Sequence, residues 1–221
     1  MEVAQQFIVS FLAMSATMQM GMSFFVALAT YKLHTKVQRF NMYYVIVMLF
    51  WTYFTFYLYR ITGSSHFVER FYVFLHVSIG INLVLIEAKS EKLKAYVAYS
   101  YYVFMAAWLI YISVNELVKT SPILAGFSYA YASILMLFLL YDKFLNFKGN
   151  LWKDPGVYIT IGTYLFYAGT AIVFVLLQHY MVYWDYFPNA RFYKPVLHIS
   201  VNIVFYSLFI YSFLCNRSTS N

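Results

Sequence analysis

The chain has 221 residues, of which 63% are hydrophobic and 10% charged, with a mean hydropathy of +0.66. Soluble domains are about a quarter charged, so this balance excludes a disordered chain and speaks against a soluble globular one. One cysteine excludes a disulfide scaffold. The net charge of +7 is divided among short segments, which is unlike the continuous basic surface that a nucleic acid needs.

In a bilayer the backbone must satisfy its own hydrogen bonds, so each long apolar run is expected to be a helix. Seven such runs follow one another, at 7–31, 42–59, 67–88, 95–114, 123–141, 156–181 and 196–215. The first has no charge inside. It also lacks the positive leader of a signal peptide and is too long for one, so it reads as a retained helix. The second is closed by Arg60, and the third is the weakest, with Glu69 and Arg70 in its first turn and Glu87 in its last. Runs five, six and seven are each opened by a proline, Pro122, Pro155 and Pro195, where a missing N–H costs nothing. The expected fold class is all-α: one polytopic seven-helix transmembrane bundle over residues 1–221, with no soluble domain.

Basic residues in the joints set the orientation. Ten of the 15 fall on one side: Lys32, Lys36 and Arg39; Lys89, Lys92 and Lys94; Lys143, Lys148 and Lys153; and Arg217. The other side holds Arg60, Arg70, Lys119, Arg191 and Lys194. This predicts an outside N-terminus and a cytoplasmic C-terminus, with the positive charge facing anionic lipid.

Polar groups deep in a span are costly, so they are the candidates for function. His76 lies mid-way along the third run, and His76, Gly80, Leu83 and Glu87 share one helical face. His198 and Asn202 form an i, i+4 pair in the last run. Thr160, Thr163 and Thr170 line the sixth, and Gln19 lies in the first. The ligand-binding set proposed from sequence is His76, Asn82, Glu87, Thr163, His198 and Asn202, in a pocket between helices three, six and seven. The plainer alternative is interhelical hydrogen bonding and close packing by small residues. Lys36, Arg39, Lys92, Lys94 and Lys148 are candidates for contact with a cytoplasmic partner. Met14, Met18 and Met22 repeat at helical spacing and read as a packing stripe rather than a copper site. Tyr183, Trp184 and Tyr186 on one side and Trp152 on the other suit the aromatic belts.

Neither a catalytic residue nor a metal site nor a cofactor is assigned. A zinc hydrolase wants several histidines with a carboxylate, and Asp142, Asp154 and Asp185 all fall in joints. No lysine lies inside the last run to hold retinal, since Lys194 precedes Pro195. Cys215 could be lipidated, and Asn216-Arg217-Ser218 spells a glycosylation sequon that would face the cytoplasm and stay bare.

The second half carries Leu151-Trp152-Lys153-Asp154-Pro155, then Gly162 and Tyr167-Ala168-Gly169, then a last helix with His198, Asn202 and Phe213-Leu214-Cys215. In this it resembles a group of small seven-helix bacterial membrane proteins, some of them encoded beside or fused to sensor histidine kinases. The resemblance implies a sensory or signalling role in a bacterial inner membrane, with the output on a separate cytoplasmic chain. The expected partners are thus the lipid bilayer, a cytoplasmic signalling protein and a second copy of the chain. A small transporter or channel, an intramembrane metal-dependent hydrolase and a structural subunit are the alternatives.

Overall fold

A computed structural model of the chain describes residues 2–62, 66–114, 122–146, 150–182 and 190–215. The described residues form seven α-helices and no strand. These are α1 (Glu2–Thr30), α2 (Lys36–Thr62), α3 (His66–Glu87), α4 (Glu91–Val114), α5 (Pro122–Asn146), α6 (Pro155–Val182) and α7 (Ala190–Leu214). Five of them, α1, α4, α5, α6 and α7, contain stretches long and apolar enough to cross a membrane. The fully described apolar stretch of α3 is Val73–Glu87. The length of α2 suffices, but Tyr43, Tyr44, Thr52, Tyr53, Thr55 and Tyr57 lower its hydropathy.

Local chemistry explains where the helices start. Thr35 and Gln38 form a reciprocal capping box at α2: the Thr35 N–H donates to Gln38 Oε1 at 2.8 Å, and the Gln38 N–H to Thr35 Oγ1 at 3.4 Å. Ser90 caps α4 by accepting from the Leu93 N–H. Asp154 caps α6, accepting from the Gly156 N–H at 2.9 Å just after Pro155 in the first helical position.

The helices pack in a ring. Contacts run α1 to α7, α7 to α6, α6 to α5, α5 to α3, α3 to α2 and α2 back to α1, while α4 lies against α3. Lipid tails are as apolar as these side chains, so close packing and polar contacts must hold the ring together. Phe166, Phe205 and Phe209 fill its interior with their rings 4.3–4.8 Å apart in sequence of contact. Tyr167 packs beside them, and its hydroxyl bonds the His76 carbonyl at 2.6 Å. A Cβ on Gly80 would sit 2.7 Å from the Tyr167 ring, so α3 and α6 meet this closely only because Gly80 has none.

Three sequence expectations change. The helix α5 runs on to Asn146, so Asp142 and Lys143 lie in its last turns instead of a joint, because both are paired there. Pro195 lies inside α7, which begins at Ala190, and so removes one intrahelical bond instead of opening the helix. Met14, Met18 and Met22 are exposed; the packed face of α1 is the one with Met20, Ser23, Ala27 and Thr30, where α7 lies. The side chains of Glu69, Arg70, Lys119, Lys148, Tyr183, Trp184, Asp185, Tyr186, Arg191 and Lys194, and the sequon at 216–218, lie outside the described residues.

Gly80→Ala is expected to lower stability by about 1–3 kcal/mol, as overpacking does. Gly21→Ala, where a Cβ meets nothing within 4 Å, should be neutral or slightly stabilising. Thermal denaturation of both variants in micelles checks the pair; equal midpoints would mean that Tyr167 yields freely.

Candidate functional site

Two polar centres lie along α3. The first is His76, 2% exposed. Its Nδ1 is 3.0 Å from the Tyr44 hydroxyl of α2, and its ring stacks on Phe166 at 5.1 Å. The rings of Tyr129 and Tyr167 stand edge-on to it. His198 on α7 is close enough to interact with it electrostatically. Helices α2, α3, α5, α6 and α7 thus converge on one imidazole, and aromatic rings cover it.

The second centre is at the end of α3 and is ionic. Lys143, on α5 and 5% exposed, is ion-paired with Glu87 of α3 and, at 3.0 Å, with Oδ2 of Asp154. The other oxygen of Asp154 caps α6, so one carboxylate both starts a helix and holds a cation. Gly156 lies beneath the pair, where a Cβ would come within 2.8 Å of Lys143 Nζ. Next to Lys143, Asp142 accepts from the Lys89 N–H at 2.6 Å and the Ser90 N–H at 3.2 Å, and also holds the Asn146 amide. That ties α5 to the start of α4, where an acidic group is favoured by the helix dipole. A cavity of about 490 Å³ opens beside the trio, with Thr35, Glu87, Lys94, Lys143 and Asp154 in its wall. Two carboxylates share one ammonium here, and the cavity wall as a whole sets Glu87, Glu91 and Asp154 against Lys89, Lys94 and Lys143.

A third polar corner closes the same end of the bundle. Gln38 Nε2 donates to the Ser212 carbonyl at 2.7 Å, joining α2 to α7. His34 stacks on Phe213 at 5.0 Å and its Nε2 is 2.8 Å from the Thr30 hydroxyl. That hydroxyl already donates to the Val26 carbonyl, so Nε2 must be the donor and Nδ1 the bare nitrogen. Burial first, and then the nearby Arg39 charge, hold the His34 imidazole below its ordinary pKa of 6.5.

The structure brings some of the sequence candidates together and leaves others apart. His76, Gly80, Leu83 and Glu87 do share the packed face of α3. Thr163 is buried, but its hydroxyl bonds the Ile159 carbonyl of its own helix. The Asn202 amide bonds the His198 carbonyl. Asn82 is exposed and bonds the Ser78 carbonyl. Among the partner candidates, Lys36, Arg39 and Lys92 are exposed, and Lys94 pairs with Glu91 at 2.7 Å. Lys148 lies outside the described residues. The sequence reading missed Tyr44, Tyr167, Lys143, Asp154 and His34. For Lys143 a signal existed: it follows an apolar run without a break, with Asp154-Pro155 ahead as a helix start. Among the described residues no three His, Cys, Asp or Glu side chains gather as a metal-ligand set.

No protein-family model, curated protein or solved structure matches the chain.

Lys143→Met should cost of the order of 3 kcal/mol, the lower end for breaking a buried pair, because both carboxylates keep some solvent. The double variant Glu87→Gln/Lys143→Met should recover part of that loss, as coupled sites do. Additive losses in denaturation curves would mean that the two residues act independently. His34 supplies a pH test. Its pKa is lower in the folded state than in the unfolded one, so the unfolded chain binds more protons, and stability falls as pH drops below about 6.5. His34→Phe should flatten that part of the stability profile; an unchanged slope would place its origin elsewhere.

Proposed function

We propose that the chain is a sensory or signalling membrane protein that crosses the bilayer seven times, with the N-terminus outside and the C-terminus in the cytoplasm. A small polar ligand would bind in the charged cavity at the end of α3, and the output would pass to a separate cytoplasmic partner.

The seven-crossing reading is supported by where the joints meet. Thr35, Glu87, Lys143 and Asp154 line one cavity, and Gln38 and His34 touch the last residues of α7. The turns after α1, α3 and α5 and the end of α7 therefore share one end of the bundle. Such an arrangement has successive helices running in opposite directions, which supports a crossing by α2 and α3 beside their more apolar neighbours. At 27 residues, α2 is about 40 Å long, enough for a crossing with its ends in the headgroups. The shared end also carries the basic residues of the first, third and fifth joints, which by the positive-inside rule supports reading it as the cytoplasmic one.

The observation that carries the sensory reading is the buried Lys143 between Glu87 and Asp154, beside an open cavity. A binding site on rigid helix ends can shift a bundle if its ligand prefers one arrangement. A cationic group entering the cavity would compete with Lys143 for the two carboxylates and loosen α3 from α5 and α6. The same helix carries His76, so a shift of α3 would reach the Tyr44 and Tyr167 contacts mid-way through the bundle. The pocket in this reading lies at the Glu87 end of α3, since His76 itself is covered by rings. Likeness to kinase-associated seven-helix proteins of bacterial inner membranes would make a kinase the natural output.

Topology can be read through the single cysteine. An impermeant maleimide should label Cys215 in inside-out vesicles and leave it untouched in intact cells. Gln6→Cys in a Cys215→Ser background should show the reverse. Labelling of both positions from one side would overturn the seven crossings. For the site, a panel of small ammonium-bearing, anionic and zwitterionic solutes should contain one that raises the melting temperature of the parent protein and leaves Glu87→Gln unchanged. A flat response across the panel would remove the ligand from the reading.

A further inference from the structure

The corner between α1, α2 and α3 contains a second cavity, which shares Ile86 with the one beside the Lys143 trio. It measures about 390 Å³, and its wall is made by His34, Lys36, Arg39, Phe40, Tyr43 and Ile86. Four of these residues come from one face of α2, since 36, 39, 40 and 43 are spaced by a helical turn. The opposite face of α2, with Val37, Asn41, Tyr44, Val45 and Met48, is the one packed into the bundle. The cavity therefore lies on the outside of the ring, at the basic end.

Its charge is positive and unbalanced. Among the described residues neither Lys36 nor Arg39 pairs with a carboxylate. The guanidinium of Arg39 lies 5.6 Å from the Tyr31 ring centre. His34 is 5% exposed and its bare Nδ1 is an acceptor, so the imidazole lines the corner without binding the anion. The capping box of Thr35 and Gln38 already serves the start of α2, so the attraction for an anion comes from the side chains. Below the two cations the cavity wall is apolar, with Phe40 and Ile86. Further along the same side α2 is exposed and apolar or aromatic, through Ile46, Val47, Phe50 and Tyr53.

We infer that this corner binds the phosphate headgroup of an anionic lipid, with Lys36 and Arg39 on the phosphate and the acyl chains along the exposed face of α2. The two halves of the surface favour a lipid over the alternatives. A free phosphate would use the cations and leave the apolar floor and the stripe uncovered. An acidic peptide from a soluble partner would meet Lys36 and Arg39 but could not follow α2 toward the membrane interior. Basic pockets between helices on the side that faces anionic lipid are suited to such headgroups, and Lys and Arg stems can lie along apolar surface with their charges at the interface. Lys36 and Arg39, expected from sequence to meet a soluble partner, are here assigned to lipid.

The test uses the full chain purified in a neutral detergent and mixed with dioleoyl phosphatidylglycerol, dioleoyl phosphatidylcholine or inorganic phosphate. Native mass spectrometry counts retained lipid, and thermal denaturation reads protection. Phosphatidylglycerol should be retained roughly tenfold or more over phosphatidylcholine, and Lys36→Gln/Arg39→Gln should abolish that preference. Lys153→Gln, an exposed cation at the same end but outside the corner, should keep it. Both variants replace exposed residues, and helicity by circular dichroism confirms that they fold. Equal retention of the two lipids, an unchanged preference in the double variant, or an equal loss in Lys153→Gln would overturn the site. Protection by inorganic phosphate equal to that by phosphatidylglycerol would overturn the lipid as its occupant. The test removes Lys36 and Arg39 and leaves Glu87, Lys143 and Asp154 in place, so its failure is distinguishable from failure of the other site.

Discussion

A polar side chain inside an apolar helix can satisfy itself in two ways: by bonding back to its own helix, or by reaching a neighbour. That choice organises this protein. Short side chains take the first route. Thr30, Thr52, Thr55, Ser128, Thr160, Thr163, Ser200 and Ser207 all donate to the carbonyl four residues earlier. Asn41, Asn82 and Asn202 do the same with their amides. These bonds stay within one helix, and the abundance of such residues says little about function.

Longer polar groups cannot fold back this way and become the links between helices. Tyr44 and Tyr167 meet His76, Tyr131 meets Ser100, and the Tyr206 hydroxyl reaches the Met20 sulfur. Such bonds average about 0.6 kcal/mol in membrane proteins and reach about 1.7. Each is small, but between helices that gain little from the hydrophobic effect they help to select one arrangement. The described tyrosines thus have two uses. Those turned inward are links, whereas Tyr96, Tyr99 and Tyr102 of α4 are exposed.

The charged end follows the same logic with stronger terms. Asp142, Lys143, Asp154 and Glu87 come from three helices, and every one has a partner that fixes a helix end or another charge. Buried ion pairs of this kind add little net stability, because desolvation offsets attraction. What the structure shows is one cation joining α3, α5 and the cap of α6. A cavity opens beside this knot, and α3 spans the distance from there to His76.

The sequence by itself determined the helices, their number among the described residues and the face of α3 that packs. Those properties follow from local hydropathy, spacing and caps such as Thr35-x-x-Gln38, which act within one turn of the chain. It also marked His76 and Glu87 as unusual, because a lone polar group in an apolar run is visible without a partner. Only the tertiary structure decided what those groups meet. Asp142 and Lys143 looked like joint residues because their partners Lys89, Ser90 and Glu87 are distant in sequence, and Met14, Met18 and Met22 looked packed because periodicity reveals a face without saying which way it turns. Thr163 and Asn202 looked like pocket residues, yet their hydrogen bonds stay within their own helices. The physical reason is one of range: helix formation is a contest among neighbours, whereas the pairing of buried charges and hydroxyls depends on which helices come to lie side by side.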